Sequence, residues 1–141
     1  MKHRTLAREL ALQILYQQDV RGDEILEQLP LLLEESEKSE AIQEFAETLV
    51  RGTIASIEDA DRRITEVAEH WDIRRMAIID RNILRLAVYE MTERPEVPEK
   101  VSINEAIELG KKYSTGKSGA FINGILDRIR RILMSERGET D

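Results

Sequence analysis

The chain of 141 residues has no cysteine, only three prolines, seven glycines and six aromatic residues, and no long apolar run. The absence of cysteine excludes disulfide bonds, thiolate catalysis and cysteine-based zinc sites. No apolar segment approaches the roughly 20 residues that a membrane-spanning helix needs. The basic N-terminal segment is not followed by the apolar segment of a secretory signal. A chain of this length with these absences predicts one domain, residues 1–141, located in the cytoplasm.

Acidic residues outnumber basic ones, but the two signs of charge are unevenly distributed. The net charge is −7, with 28 acidic residues against 21 lysines and arginines. Residues 1–21 carry four basic residues against two acidic ones, and residues 111–141 carry seven against four, whereas residues 22–110 carry ten against 22. If the two basic ends meet in the fold, they form a local positive patch on an acidic protein. The alternative is that these charges are simply solvated at helix ends.

Apolar residues recur at helical spacing along the whole chain, which predicts an all-α fold without strands. Seven helices are predicted: about 3–19, a second from Asp23 that Pro30 interrupts, about 40–70, about 74–77, about 79–92, a sixth from Ser102 and a seventh from Lys117. They are expected to form a bundle of two sub-bundles, one of helices one to three at about 1–70 and one of helices four to seven at about 74–135.

Local signals support several of these helix ends and one buried helix. Gly22 is suited to end the first helix, and Asp23 is a favourable N-cap for the second. Ser102 and Glu105 have the spacing of a capping box, which predicts that the sixth helix starts there. The fifth helix is apolar around most of its circumference, which predicts a central, buried position. Trp71, at the end of the third helix, is predicted to anchor the core.

The segment GKKYSTGKS, residues 110–118, resembles a phosphate-binding loop but does not fit the pattern. Five residues separate Gly110 from Gly116 where the pattern has four, and the segment follows a helix rather than a strand. Nucleotide hydrolysis is therefore not predicted. The turn still precedes a helix N-terminus beside three lysines, an arrangement that favours a bound phosphate without catalysis. The alternative interpretation is a glycine-rich hinge between two core helices.

Neither a metal site nor a catalytic centre is predicted. The two histidines, His3 and His70, have no second imidazole or cysteine at ligand spacing. No pair of carboxylates is singled out by its sequence context, and no nucleophile is paired with a base. The chain is therefore predicted to be a non-enzyme without cofactor or metal.

The first helix has basic and aromatic residues on its polar side. Arg4 and Arg8 lie about 40° apart on a helical projection, and Leu12 and Tyr16 are apolar groups on the same polar side. Cationic groups next to an exposed aromatic ring are typical of single-stranded RNA binding, where bases stack and phosphates pair with the charges. The alternative is that Tyr16 packs against another helix.

Three segments of the sequence resemble the NusB family in order and spacing. They are RTLARELALQILYQQD near the N-terminus, DRNILRLAVYEM in the centre and VSINEAIELGKKYSTGKSGAFINGILD near the C-terminus. The last segment is the most specific, because INEAIELGKKYS followed by a short glycine-rich turn and FINGILD is very hard to reach by chance. Together the segments cover about half of the chain.

The resemblance implies an RNA-binding function in transcription antitermination without catalysis. It implies pairing with a small-subunit ribosomal protein that acts as NusE, binding of boxA RNA in ribosomal RNA leaders, and support of the RNA polymerase antitermination complex. The RNA-binding residues that it implies are Lys2, His3, Arg4, Arg8, Lys111, Lys112, Tyr113, Lys117, Ser118, Phe121 and Asn123. The partner-binding residues that it implies are Tyr16, Asp80, Arg81 and Asn82.

Two other functions are compatible with the same sequence. Some ribosomal RNA cytosine methyltransferases carry a NusB-like domain ahead of a catalytic domain, but here the chain ends at Asp141, so that function requires a longer parent chain. The other is a helical scaffold that binds protein only. An apolar partner surface left bare could also drive a weak homodimer.

Overall fold

The computed structural model describes residues 2–139 of the chain, and these residues form helices and no strands. The eight α-helices are α1 (Lys2–Arg21), α2 (Glu24–Glu27), α3 (Leu29–Glu35), α4 (Glu40–Ala55), α5 (Ile57–Val67), α6 (Ile78–Glu93), α7 (Glu99–Tyr113) and α8 (Ser118–Glu136). A 3₁₀ turn, Ile73–Arg75, lies between α5 and α6. Within this range no helix is long and apolar enough to cross a membrane. The predicted all-α fold is confirmed.

The first compact unit extends to Ala55 and contains α1 to α4. In this unit α1 packs mainly against α4 and also against α2. Gly22 has a φ of +94° and donates its amide to the carbonyl of Gln18, so it ends α1 in the left-handed conformation predicted for it. Pro30 lies in the first turn of α3 and confirms the predicted interruption, because proline lacks the amide that a continuous helix needs.

The second compact unit starts at Ser56 and is built around α6. Helix α6 packs against α5, α7 and α8, and every side chain from 82 to 91 is buried. The predicted central helix is therefore confirmed. Polar residues inside it are paired: the Arg85 guanidinium donates to both carboxylate oxygens of Asp61 on α5, at 2.7 and 2.9 Å, and to the amide oxygen of Asn82.

Two predicted boundaries are wrong. The third helix does not run from 40 to 70, because it ends at Ala55 and a new helix begins at Ile57, which raises the number of α-helices. Helix α7 begins at Glu99 after Pro98 rather than at Ser102. Ser102 is inside that helix and buried, and its hydroxyl lies 3.5 Å from the Glu90 carboxylate, so it does not cap the helix.

The division of the chain also differs from the expected one. The two compact units meet at Ala55 and Ser56, whereas the sequence placed the boundary of the sub-bundles at about 70–74. Helix α5, expected with the first three helices, belongs to the second unit because it packs on α6 and α8.

Candidate nucleic-acid interface

In the first unit, the two arginines near the start of α1 have different environments. Arg4 is exposed, and its guanidinium lies over the Phe45 ring of α4, 4.6 Å from the ring centroid. Arg8 is only 3 % exposed, and its guanidinium lies 6.0 Å from the same centroid. The expectation that both arginines present their charge to RNA therefore needs correction for Arg8. His3 is exposed beside them, and the side chain of Lys2 lies outside the described part of the chain.

The polar side of α1 also presents apolar side chains to solvent. Tyr16 is 39 % exposed and Val20, one helical turn further on, is 56 % exposed. Leu12 is 1 % exposed, so its predicted position on the exposed side was wrong. Exposed apolar groups that are neighbours on one helix are typical of a protein-binding surface.

In the second unit, the predicted RNA-binding residues cluster where α7 ends and α8 begins. Lys111, Lys112 and Lys117 are exposed, as is Asn123 on the first turns of α8. The Lys112 Nζ lies 5.4 Å from the centroid of the Tyr113 ring, and Lys111 pairs with Glu108 at 3.2 Å. The Lys112 charge and one aromatic ring are therefore adjacent, an arrangement typical of single-strand binding.

Ser118 does not face solvent as expected. It is 3 % exposed. Its hydroxyl oxygen lies 2.8 Å from the Ser114 hydroxyl, 3.3 Å from the Thr115 hydroxyl and 3.3 Å from the Asp80 carboxylate. The hydroxyl thus ties the turn before α8 to the first turn of α6. Asp80 is half-buried, and its Oδ1 is enclosed without a hydrogen-bond partner in the described structure.

Asn82 was predicted to bind a protein partner, and this prediction was wrong. Its side chain is 1 % exposed, and its amide donates to the carbonyl of Ile78 at 2.8 Å. Asn82 therefore supports the core of α6 and does not reach a surface. Arg81 is half-buried, and its guanidinium donates to the carbonyls of Ile73 and Arg74, at 3.5 and 3.3 Å.

A cleft that was not predicted from the sequence lies next to the turn before α8. The cleft has a volume of about 360 Å³, and its lining includes Trp71, Arg75, Asp80, Lys117, Ser118 and Phe121. The rings of Trp71 and Phe121 meet edge to face, with centroids 5.6 Å apart. Trp71 is 55 % exposed, so the prediction that it anchors the core was wrong. The one available signal was its position in a short polar linker rather than on a periodic helical face.

The linker that carries Trp71 is held in place by several hydrogen bonds. The Trp71 amide donates to the carbonyl of Ala68 at 2.8 Å, and the Arg128 guanidinium of α8 donates to the carbonyl of Val67 at 2.9 Å. Asp72 caps the 3₁₀ turn by accepting from the Arg74 amide at 2.9 Å. A side-chain hydrogen bond from Arg74, reinforced by its backbone amide, holds the pKa of the Asp72 carboxyl below its ordinary value.

The chemistry available at these sites is recognition rather than reaction. Within residues 2–139, no group of three or more histidine, aspartate or glutamate side chains is placed to hold a metal ion. The exposed functional groups are ammonium and guanidinium ions, aromatic rings and an amide. These groups bind phosphates and stack on bases.

Comparisons with known proteins agree on one family. The model of the NusB family matches residues 5–131. A transcription antitermination protein NusB from Anaeromyxobacter sp. (strain Fw109-5) is 50% identical over 139 residues, which are 98% of this chain and 96% of the relative. A T. maritima NusB structure superimposes with a TM-score of 0.81 and 37% identity, over 91% of this chain and 90% of the other. A crystal structure of antitermination factors NusB and NusE in complex with dsRNA gives a TM-score of 0.83 and 32% identity, over 94% and 98% of the chains.

Proposed function

This chain belongs to the NusB family, and we propose that it binds boxA-type single-stranded RNA jointly with the small-subunit ribosomal protein that acts as NusE. Like the family to which it belongs, it acts as a transcription antitermination factor and not as an enzyme. The complex is expected to help RNA polymerase resist termination on ribosomal RNA operons. The family match runs across both compact units, which supports treating residues 1–141 as one RNA-binding domain.

The observation that carries the RNA-binding proposal is the group of exposed lysines at the end of α7 and the start of α8. Lys111, Lys112 and Lys117 are all exposed, and the Lys112 ammonium lies next to the Tyr113 ring, in a chain whose net charge is −7. A local excess of positive charge beside an aromatic ring favours a single strand over a purely acidic protein partner, because an aromatic ring also stacks on bases. Arg4, spread over the Phe45 ring, offers a second cationic contact in the first unit.

The protein-binding part of the proposal rests on exposed apolar side chains of α1. Tyr16 and Val20 are both exposed and lie one helical turn apart on α1. Tyrosine is enriched at protein interfaces because it combines a large apolar area with a hydroxyl group. In the absence of the ribosomal protein, the same pair is expected to support a weak homodimer. Asp80 and Arg81, both half-buried, are proposed to lie at the edge of the partner surface.

The test is a pair of lysine substitutions measured against a matched control. The double variant Lys112→Ala, Lys117→Ala is expected to weaken binding of a labelled boxA-type RNA and to flatten the salt dependence of the affinity by about 0.7 for each lost phosphate contact. The control is Arg51→Ala, Arg62→Ala, which removes two exposed cations from other helices. Equal effects of the two double variants would show that only the net charge matters and would contradict a defined lysine site.

A further inference from the structure

We propose that the cleft lined by Trp71 and Phe121 holds one unstacked base of the bound RNA, with Trp71 as its stacking surface. The inference rests on the proposed RNA-binding function and adds to it a base-binding subsite. The cleft volume of about 360 Å³ lies within the roughly 300–1,000 Å³ of small-molecule sites. Its lining includes two aromatic rings set edge to face, and Trp71 remains 55 % exposed, so part of its surface is open to a planar ligand.

Hydrogen bonds hold the backbone around the exposed Trp71. Its backbone is tied to the carbonyl of Ala68, the 3₁₀ turn after it is capped by Asp72, and the Arg81 guanidinium holds the carbonyls of that turn. A tryptophan ring is ordinarily buried in large part, because burial of its apolar area contributes substantially to stability. A ring that a held backbone keeps exposed is preorganised for a ligand, because little ordering entropy is lost on binding.

The charges around the cleft indicate the orientation of a nucleotide. Arg75 and Lys117 are exposed cations that belong to its lining. The carboxylate of Asp80 belongs to the lining and repels a phosphate from the interior. A base therefore fits inside, where it stacks on the rings, and its phosphates fit at the margin, where the two cations lie.

This pattern favours RNA over a protein segment. A protein partner would also use an exposed tryptophan, but an apolar peptide gains nothing from two cations at the margin of an aromatic cleft. Lys111 and Lys112 lie before the turn at 114–117, and Lys117 lies at its end. These three lysines form the group proposed to bind RNA, so the cleft continues that surface within the same unit. One strand can thus contact the lysines with its phosphates and Trp71 with a base.

Trp71 is the single tryptophan of the chain, so its fluorescence reports directly on the cleft. The RNA titration follows the emission of Trp71 and, in parallel, the anisotropy of a labelled boxA-type RNA, with and without the ribosomal protein. The same titration of Trp71→Phe corrects for emission of the partner, and a titration of free tryptophan corrects for light absorption by RNA. We expect quenching with the same midpoint as the anisotropy, and weaker quenching with an RNA that is abasic at one position.

Substitution separates stacking from charge. Trp71→Ala is expected to weaken RNA binding by about fivefold to 150-fold, the range that loss of one base–aromatic stack gives. Because no phosphate contact is lost, the salt dependence stays unchanged, whereas Arg75→Ala flattens it. Trp71→Phe retains a ring and most of the affinity. The control Val101→Ala, which trims an exposed apolar side chain of α7, leaves both quantities unchanged.

Three results would overturn the inference. RNA binding that is detected by anisotropy without a change in Trp71 emission, or with equal affinity for Trp71→Ala, would place the base elsewhere. An emission change caused by the ribosomal protein and not by RNA would assign the cleft to a protein contact. If no RNA binds under any condition, the proposed function fails together with the subsite.

Discussion

Two arginines that are equivalent on a helical projection have different roles in α1. The guanidinium of Arg4 stacks on Phe45 while remaining exposed, so its N–H edges stay available for a phosphate. Arg8 lies beneath the surface next to the same ring, where a charge requires partners within the protein. The angular position around a helix is therefore insufficient to decide which cation reaches a ligand.

We predict that Arg4→Ala and Arg8→Ala affect different quantities. Arg4→Ala should weaken RNA binding and flatten the salt dependence by about 0.7, with little change in stability. Arg8→Ala should lower the free energy of unfolding by about 1 kcal/mol or more, because it removes a buried side chain. Urea denaturation and RNA anisotropy over a salt series measure both effects. A larger loss of RNA affinity in a fully folded Arg8→Ala protein would reverse the assignment.

The residues that the sequence placed wrongly are those whose environment depends on distant segments. Ser118 is buried because its hydroxyl meets Asp80, 38 positions away, and Asn82 is buried because it supports the Arg85 pair with Asp61. Trp71 was expected in the core on its size and hydrophobicity, yet the linker holds it outward. Periodicity predicts the side of a helix on which a residue lies, and tertiary packing decides whether that side is covered.

At the level of helices, α7 and α8 approach closely at Gly110. A Cβ atom added at Gly110 would lie 2.7 Å from the Cδ1 of Ile122, which is itself fully buried. A Cβ atom added at Gly124, on α8, would have no neighbouring atom within 4 Å. Packing therefore requires a glycine at Gly110 but not at Gly124.

We predict opposite effects of alanine at these two glycines. Gly110→Ala should destabilise the protein by about 1 kcal/mol, because overpacking of roughly 1–3 kcal/mol exceeds the gain in helix propensity. Gly124→Ala should stabilise it by up to about 1 kcal/mol through propensity alone. Thermal or urea unfolding of both variants gives the comparison. Stabilisation by Gly110→Ala would mean that Ile122 moves aside without loss.

Helix α5 provides a pH-dependent contribution to stability. Burial raises the pKa of the Asp59 carboxyl, but hydrogen bonds from Arg62 and Arg63 outweigh it and leave the pKa below its ordinary value. Because the folded pKa is lowered, the stabilisation is complete above the unfolded pKa of about 3.9 and is lost as the pH falls through the folded value.

We predict that Asp59→Asn is less stable than the wild type near neutral pH by a few tenths of a kcal/mol, since Asp59 is largely exposed to solvent screening. The difference should disappear at the lowest pH at which the protein still folds. Urea unfolding at several pH values measures it, with Glu58→Gln on the same turn as control. A difference that is constant with pH would show that the ion pairs of Asp59 contribute nothing.

Most helices, but not all of their ends, could be predicted from the sequence. The all-round apolar pattern of α6 and the left-handed glycine after α1 have physical causes within the segment itself. The break at Ser56 has no proline or glycine to mark it, and the capping-box spacing at Ser102 arises inside a helix that Pro98 starts earlier. Such ends are set by packing between helices, which local patterns do not record.

For the molecule as a whole, the distribution of charge is more informative than its sum. The net charge of −7 argues against nucleic acid, yet three exposed lysines, Lys111, Lys112 and Lys117, lie around the turn between α7 and α8. The uneven distribution was visible in the sequence, and so was the family resemblance, whereas the cleft at Trp71 was not. A protein that binds RNA through few cations should depend on a partner for affinity.

The most direct measurement of the central proposal is the coupling between RNA and the ribosomal protein on this chain. Titration calorimetry gives the affinity for a boxA-type RNA with and without the ribosomal protein, and the affinity for the ribosomal protein with and without that RNA. We predict that each ligand strengthens binding of the other by the same factor, about fivefold or more, because coupling between two binding sites is reciprocal. The factor should disappear with a scrambled RNA. Independent binding of the two ligands, or equal coupling with the scrambled RNA, would contradict the proposal.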